Sequence, residues 1–175
     1  MSELSFRRYQ PPDAEAVWTL HERAMAAAGT DPSDIPGTDD LQRIEEAYLA
    51  SGGEFLVGIH THAGVEGLET TDGSLLAMGG FLPTDAGYED ERTVEGDAAE
   101  LHRMRVAPAY QRRGYGTGLL ESLEARAAAM GIDRLLATTA ERQTAAVEFY
   151  PAHGYREVER SSHGDYHLLH FEKSL

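Results

Sequence analysis

The chain has 175 residues, of which 41% are hydrophobic, and this length and composition predict a single globular domain spanning residues 1–175. It contains no cysteine, which excludes disulfides, thiolate metal sites and a cysteine nucleophile. Thirty acidic side chains against fifteen basic ones give a formal net charge of −15, which disfavours nucleic acid as a partner because no broad basic face is available.

Lys173 is the only lysine, and an acidic, lysine-poor surface stays soluble where salt screens charge repulsion. We therefore expect a halophilic protein from a salt-accumulating cytoplasm. The alternative is an ordinary acidic protein from a GC-rich genome, in which arginine replaces lysine. The first ten residues lack the apolar core of a signal peptide and no run approaches a membrane span, so we expect a cytoplasmic location and no membrane partner.

The N-terminal part of the chain predicts a strand followed by two helices. Residues 4–10 alternate as a strand, and Pro11-Pro12-Asp13 opens the first helix. A turn-rich loop over residues 29–40 precedes the second helix, which Asp39 or Asp40 is expected to cap. The apolar positions at helical spacing are Ala16, Val17, Leu20 and Ala24 in the first helix and Ile44, Ala47 and Tyr48 in the second.

Two apolar segments at residues 53–60 and 74–83 predict strands, and the acidic, turn-rich stretch from Thr84 to Ala99 predicts an exposed loop. Histidines at His60 and His62 share one strand face, but the sequence offers no evident third ligand. We therefore expect no metal.

The strand predicted over residues 99–108 has an irregular hydrophobic pattern. Its apolar residues are Leu101, Met104 and Val106, and the step from 101 to 104 is one residue too long for a strand with one buried face. One extra residue here predicts a β-bulge, which re-aims backbone groups beside a site. A regular strand with both faces partly buried is the alternative.

The stretch from residue 100 to residue 118 concentrates positive charge: four arginines and one glutamate sum to +3, so the rest of the chain sums to −18. Its glycines enter a predicted helix, and such a loop presents backbone N–H groups and a positive helix end to phosphate. It lacks the lysine of the nucleoside-triphosphate loop, and Leu119 replaces the third glycine of the dinucleotide fingerprint. Residues 111–116 fit Gln/Arg-x-x-Gly-x-Gly/Ala instead; a plain tight turn is the alternative.

The C-terminal part predicts a helix closed by Gly131, a strand over residues 133–140, a helix ending at Gly154 and two strands over residues 155–160 and 166–175. Strands and helices mingle throughout, so the fold class is α/β or mixed α+β. The predicted helix stripes are Leu119, Leu120, Leu123, Ala127 and Met130, and then Ala146, Phe149, Tyr150 and His153.

Four segments, residues 100–120, 134–140, 143–155 and 168–175, resemble the GNAT superfamily of N-acetyltransferases in their motifs, order and spacing. The resemblance implies a central twisted mixed β-sheet that is splayed at a bulged strand and flanked by helices on both faces. It also implies transfer of an acetyl group from acetyl-CoA directly to a primary amine of a small molecule or peptide. Dimers are common among relatives, so a homodimer is a further possibility.

The resemblance implies two sets of cofactor contacts. The bulged strand would bind the pantetheine arm, and the glycine loop would bind the pyrophosphate. Gln143 would be a further cofactor contact. It stands where the family often has asparagine, and its longer side chain departs from that pattern. The residues implied are Met104 and Val106 for the arm, and Gln111, Arg112, Arg113, Gly114, Gly116, Thr117 and Gly118 for the pyrophosphate.

The resemblance also implies the catalytic groups. Tyr150 matches the tyrosine that protonates the departing thiolate, although its other possible role is core packing. Glu100 matches a glutamate near the acceptor and is the expected base, with His102 or a water chain as alternatives. Pro151 would kink or shorten the helix that carries Tyr150. The rival function is a non-catalytic acyl-CoA sensor, which would keep the loop and lose the proton-transfer groups.

Overall fold

The computed structural model describes residues 4–29, 38–84 and 97–175. Seven strands and three α-helices lie in these ranges, together with short helical turns at Thr38–Gln42 and Glu45–Leu49. The strands and helices are β1 Ser5–Arg8, α1 Ala14–Ala27, β2 Glu54–His60, β3 Ser74–Pro83, β4 Ala98–Val106, α2 Tyr115–Ala129, β5 Arg134–Ala140, α3 Thr144–Ala152, β6 Arg156–His163 and β7 Tyr166–Ser174.

All seven strands form one mixed sheet in the order β1-β2-β3-β4-β5-β7-β6. Every neighbouring pair is antiparallel except β4 and β5, which are parallel. This parallel pairing covers only Ala98–Glu100 against Arg134–Leu136, whereas β4 continues to Val106. The two central strands therefore separate beyond Glu100, and the expected mixed sheet that splays at its centre is confirmed.

A β-bulge in β4 lies at the point where the strands separate. Met78 of β3 pairs with Arg105, and Gly80 pairs with His102, so two steps along β3 correspond to three steps along β4. The extra residue coincides with the left-handed backbone of Arg103, whose φ is 57°. The bulge predicted from the spacing of apolar residues is confirmed, and the regular-strand alternative is wrong.

Helices cover both faces of the sheet, as the surroundings of two adjacent glycines of β3 show. A Cβ atom at Gly79 would meet Leu119 of α2, whereas a Cβ atom at Gly80 would meet the ring of Tyr48 in the turn Glu45–Leu49. Because successive side chains of a strand point to opposite faces, α2 and this turn lie on opposite faces. The helix α1 packs against β3, β4 and the turn Thr38–Gln42.

The helix α3 shares the face of α2. Lys173 of β7 binds Glu124 of α2 at 2.7 Å, and Phe171, on the same face of β7, packs its ring 5.8 Å from that of Tyr150 in α3. The expected helices on both faces of the sheet are thus confirmed, with α2 and α3 together on one of them.

The boundary between the predicted loop and β4 differs from the predicted one. The loop predicted from Thr84 to Ala99 ends earlier, because Ala98 and Ala99 are buried in β4 at 4% and 0% exposure. Two alanines add little hydrophobic signal beside an acidic stretch, so the sequence pattern did not mark them as strand. Residues 85–96 of that loop, like residues 30–37 of the earlier predicted loop, lie outside the described residues.

The second predicted helix forms two short turns instead of one α-helix. Ile44 and Tyr48 are buried as expected. Asp40, a predicted helix cap, instead accepts hydrogen bonds from Arg103 of β4 and from the Tyr48 hydroxyl. The carboxylate therefore ties this segment to the bulge rather than to a helix end.

The helix α2 ends one residue earlier than its predicted apolar stripe. Gly131 has the left-handed φ of 81° expected at a helix end, but Met130 follows the last helical residue and is 46% exposed, so its assignment to the buried stripe was wrong. Pro151 lies inside α3 and the helix ends at Ala152, one residue later. His153 therefore follows α3 rather than belonging to it.

Candidate active site

A cavity of about 410 Å³ opens where β4 diverges from β5. Three elements bound it: the bulged end of β4, the glycine loop with the start of α2, and one side of α3. It is lined by Met104, Arg105, Val106, Gln111, Arg112, Gly114, Tyr115, Gly116, Thr117, Leu119, Ala145, Ala146, Phe149 and Tyr150. The cavity thus brings together eight of the twelve predicted site residues: Met104, Val106, Gln111, Arg112, Gly114, Gly116, Thr117 and Tyr150.

The glycine loop leaves the N-terminus of α2 open. Gly114 precedes the helix in the left-handed conformation, with φ of 83°, and no side chain caps the helix. The first N–H groups of an α-helix have no partner within the helix, and the helix dipole adds positive charge there. Arg112 also has a left-handed backbone, with φ of 63°, so the chain turns sharply before the helix. This end of the cavity suits an anion.

The two arginines of the loop carry charge that no described carboxylate neutralises. Both side chains are exposed, and Arg113 lies over the ring of Tyr110 with its Cζ 4.9 Å from the ring centroid. Gln111 Nε2 lies 3.5 Å from the carbonyl oxygen of Val106, which holds the loop near the end of β4. Arg113 does not line the cavity itself, and neither does Gly118.

A cofactor arm would have room beside Gly116. A Cβ atom at this position would meet Phe149 of α3 at 3.6 Å and Val106 of β4 at 3.8 Å. A side chain there would therefore project into the space between the strand and the two helices. Glycine keeps that part of the cavity open.

Thr117 does not cap α2 but connects it to the end of α3. Its Oγ1 lies 2.9 Å from His153 Nε2, and His153 Nδ1 lies 2.7 Å from the carbonyl oxygen of Phe149. Because a carbonyl oxygen only accepts, His153 Nδ1 carries a proton and donates to Phe149, and the Thr117 hydroxyl bonds the other ring nitrogen. In this structure the Thr117 hydroxyl, which the resemblance assigns to the pyrophosphate, therefore bonds His153.

Tyr150 lies on the α3 side of the cavity. It packs among the rings of Phe149, Tyr155 and Phe171 and is 8% exposed. Burial raises its pKa to about 12, against the opposing effect of the Arg105 charge, so the phenol is protonated at neutral pH. Packing and a role as proton donor, the two roles that the sequence left open, are both compatible with this position.

Glu100, His102 and Gln143 do not line the cavity. Glu100 and His102 lie two residues apart on β4, and the His102 ring packs 6.2 Å from Tyr48, so both belong to the sheet face opposite α2. Gln143 directly precedes α3, and its Oε1 accepts a hydrogen bond from Thr139 Oγ1 at 3.0 Å. Glu100 is half-buried at the point where β4 and β5 part.

Sequence reasoning missed two polar residues, Arg105 and His21. Arg105 lines the cavity. His21 of α1 is fully buried, and neither ring nitrogen has a hydrogen-bond partner among the described residues. Burial, together with the charges of Arg105 and Arg103, lowers the His21 pKa to about 4, although Asp40 opposes this. Arg105 was visible as the residue after the bulge, whereas nothing in the pattern of α1 distinguished His21 from a surface histidine.

Within residues 4–29, 38–84 and 97–175, no three histidine, cysteine or acidic side chains are grouped closely enough to hold a metal ion. His60 Nδ1 accepts hydrogen bonds from the backbone N–H groups of His62 and Ala63, so this imidazole stabilises a turn. In the same part of the chain, no helix has the length and apolar character needed to cross a bilayer.

Comparison with known proteins agrees with this geometry. The model of the acetyltransferase (GNAT) family matches residues 33–155. None of the curated proteins compared with this sequence matches it.

Solved structures share the fold at low sequence identity. An acetyltransferase of the GNAT family from Staphylococcus aureus Mu50 superposes with a TM-score of 0.75 at 19% identity, with 98% of each chain covered. An acetyltransferase from Streptococcus agalactiae 2603 gives 0.74 at 17% identity, with 100% of each chain covered. The structure of yncA from Salmonella typhimurium, solved with its cofactor acetyl-CoA, gives 0.66 at 18% identity and covers 99% of this chain and 94% of that one. With a splayed sheet, a bulged β4 and a matching family model over most of its length, this chain belongs to the acetyltransferase (GNAT) family.

Proposed function

We propose that this protein transfers an acetyl group from acetyl-CoA to a primary amine. The observation that carries the proposal is the single cavity in which the bulged strand, the uncapped glycine loop and Tyr150 meet. The similar structure of yncA holds acetyl-CoA as its cofactor, which supports the same donor here. The family relation supports an amine as the acceptor.

The residues present fit acetyl-CoA. An uncapped helix end and two arginines without carboxylate partners among the described residues suit its phosphates, and Gly116 keeps space for its arm between β4 and α3. Loop residues 111–114 and 116–118 would hold the pyrophosphate, and Met104 and Val106 would flank the pantetheine arm. When bound, acetyl-CoA supplies an acetyl group activated as a thioester. Gln143 would meet the cofactor only if its amide leaves Thr139.

The chain's own residues would manage two protons. The acceptor nitrogen forms a bond to the acetyl carbon while the carbon–sulfur bond breaks, so the amine must lose a proton and the leaving sulfur benefits from gaining one. Tyr150 would donate to the sulfur, since its raised pKa keeps the hydroxyl protonated. No covalent intermediate on the enzyme is needed, which agrees with a chain that contains no cysteine.

Glu100 is the proposed base, with His102 or a water chain as alternatives. Both side chains belong to the sheet face opposite α2, next to the point where β4 and β5 separate. An amine that approached from this face would pass them before it reached the cavity. Proton transfer from this face to the cavity then requires either a side-chain movement or a bridging water.

Calorimetric titration with acetyl-CoA in 2 M KCl tests the proposal without a known acceptor. Saturable binding with one site per chain, followed by thiol release when amines are added, would support the acetyltransferase. Binding without thiol release for any amine would favour the non-catalytic acyl-CoA sensor instead. A folded sample that does not bind acetyl-CoA would overturn both.

A further inference from the structure

The guanidinium of Arg105 is a largely buried cation without a carboxylate partner. Its Nη1 donates to the carbonyl oxygen of Met104 at 3.0 Å, and its Nη2 lies 3.8 Å from the sulfur of Met25 in α1. No carboxylate of the described residues pairs with it. Burial lowers the pKa of Arg105, an effect to which the neighbouring charge of Arg103 adds. A cation so placed gains from any anion that reaches it.

The contrast with the rest of this acid-rich chain makes the isolation of Arg105 informative. Arg103, two residues away, is matched by Asp40 through hydrogen bonds of 2.9 and 3.1 Å. The described arginines that pair with carboxylates include Arg7, Arg8, Arg43, Arg103, Arg126, Arg134, Arg156 and Arg160. Arg112 and Arg113 form no ion pair with a described carboxylate and belong to the proposed phosphate loop, and Arg23 is exposed and donates to the Glu66 carbonyl. Arg105 is therefore a second position, besides the loop, at which an external anion would meet a cation without a carboxylate partner.

Arg105 lies on the opposite side of β4 from the proposed cofactor contacts of that strand. A Cβ atom at Gly79 would meet the sulfur of Met104, which places Met104 on the α2 face. The next side chain of a strand points to the other face, and the contact between Arg105 and Met25 of α1 agrees with this. Arg105 also lines the cavity that contains Tyr150. Arg105 therefore lies between this cavity and the side of the sheet on which α1 contacts it.

We propose that Arg105 binds a carboxylate of the acceptor, so that the acceptors of this enzyme are small amines that carry a carboxylate, as amino acids do. The inference rests on the proposed acetyl transfer. A guanidinium presents parallel N–H donors that match the two oxygens of a carboxylate. The phosphates of the cofactor would be held at the opposite end of the cavity, by the loop. A carboxylate on Arg105 would orient the amine of the same molecule toward the acetyl group.

Matched acceptor pairs test the proposal on the unaltered enzyme. Thiol release is measured with aliphatic L-amino acids, β-alanine and γ-aminobutyrate, each against its carboxamide, which keeps the amine and loses the charge. We expect at least one acid to exceed its amide about 10-fold or more in kcat/KM, the effect of roughly one charge-assisted hydrogen bond. If no acid exceeds its amide while acetyl-CoA still binds, the proposal is overturned.

Substitution of Arg105 supplies the second arm. Arg105→Met is expected to lower kcat/KM for the preferred acid by roughly 10- to 100-fold and to leave its amide and the acetyl-CoA affinity within about 3-fold. Arg105→Lys should restore part of the preference, because it keeps the charge and loses the paired donors. Arg23→Met removes an exposed arginine of α1 that bonds only the Glu66 carbonyl among described residues, and it should change neither substrate. Equal losses for acid and amide in Arg105→Met would show a structural role and overturn the proposal.

A binding measurement separates this inference from the proposed function. Trp18 is the only tryptophan, and its ring lies 5.4 Å from that of His21, whose pKa is lowered in part by the Arg105 charge. Trp18 fluorescence should therefore respond to the preferred acid, and not to its amide, in the wild type and not in Arg105→Met, with or without acetyl-CoA. If the protein binds no acetyl-CoA but shows this response, the proposed function is overturned and the anion site at Arg105 is supported. If it binds acetyl-CoA without this response, the anion site is overturned and the proposed function is not.

Discussion

Tyr150 combines two properties that are usually in conflict. Its ring packs in the hydrophobic core, yet Tyr150 also lines the cavity. Burial raises the pKa to about 12, and Arg105 acts in the opposite direction. The hydroxyl is therefore protonated across the physiological range, which is the state that a donor to a leaving thiolate needs.

Replacing Tyr150 by Phe tests its role as the acid. We expect acetyl-CoA to bind within about 3-fold of the wild type, because the ring is kept, while turnover falls roughly 100-fold or more, the usual contribution of general acid catalysis. Calorimetry and thiol release measure the two quantities. Tyr155→Phe is the matched control, because that neighbouring hydroxyl is buried without a hydrogen-bond partner among the described residues and lies outside the cavity lining. Unchanged turnover in Tyr150→Phe would exclude the acid role.

His21 makes the protein sensitive to acid. Its pKa falls from 6.5 to about 4 on folding, so below pH 6.5 the unfolded chain binds a proton that the folded chain does not. Stability is therefore lost as the pH falls from about 6.5 to about 4. His21→Leu should reduce this loss. Its Tm should fall less between pH 7 and pH 4.5 than the wild-type Tm does, by at least about 2–4 °C, the shift that roughly 1 kcal/mol produces in a chain of this size. Parallel acid dependence in both proteins, followed by calorimetry, would contradict the assignment.

At the scale of elements, the site arises where one strand changes its register and one helix begins without a cap. The bulge in β4 was predictable because Leu101 and Met104 are one residue out of step, and the anion loop because its glycines and arginines stand together. Neither signal needs tertiary information. The expected pairing of the two features around one cavity came from the resemblance of the whole segment rather than from either pattern alone.

Charge at the start of α2 should control the binding of acetyl-CoA. Gly114→Asp adds a negative charge at the helix N-terminus, whereas Gly114→Asn adds nearly the same atoms without charge, and both tolerate the left-handed φ of 83° better than other residues do. A Cβ atom at Gly114 would meet nothing within 4 Å, so neither variant clashes. We expect the aspartate variant to bind acetyl-CoA at least about 10-fold more weakly than the asparagine variant. Equal affinities by calorimetry would show that this loop is not the phosphate site.

The remaining site residues depend on contacts that no local pattern contains. Asp40 is a good helix cap by its residue type, but Arg103 lies 63 residues later and takes its carboxylate. His21 is one polar residue in an amphipathic helix, and only the packing of α1 on β4 buries it beside Arg105. Ion pairs and burial of this kind are set by the tertiary structure, so the sequence predicted the cofactor side of the site better than the acceptor side.

At the scale of the whole molecule, like-charge repulsion is the dominant electrostatic effect. Acidic residues outnumber basic ones two to one. Many of the described arginines already form ion pairs with carboxylates, so few basic side chains are available to neutralise the excess of acidic residues. Exposed ion pairs contribute little and are weakened by salt, but the repulsion within a net charge of −15 is weakened at the same time. The balance should favour the folded state at high salt.

Thermal unfolding in KCl tests this balance. Between 0.05 and 2 M KCl we expect Tm to rise by more than about 5 °C, equivalent to roughly 2 kcal/mol for this chain length, because the Debye length shrinks below the spacing of surface charges. A triple variant with Glu15, Glu22 and Glu148 replaced by glutamine removes three exposed acids that form no ion pair among the described residues and reduces the net charge from −15 to −12. It should melt higher than the wild type in dilute buffer and gain less from KCl. Salt independence of the wild-type Tm would favour an ordinary acidic protein over a halophilic one, since screening would then have no repulsion to relieve.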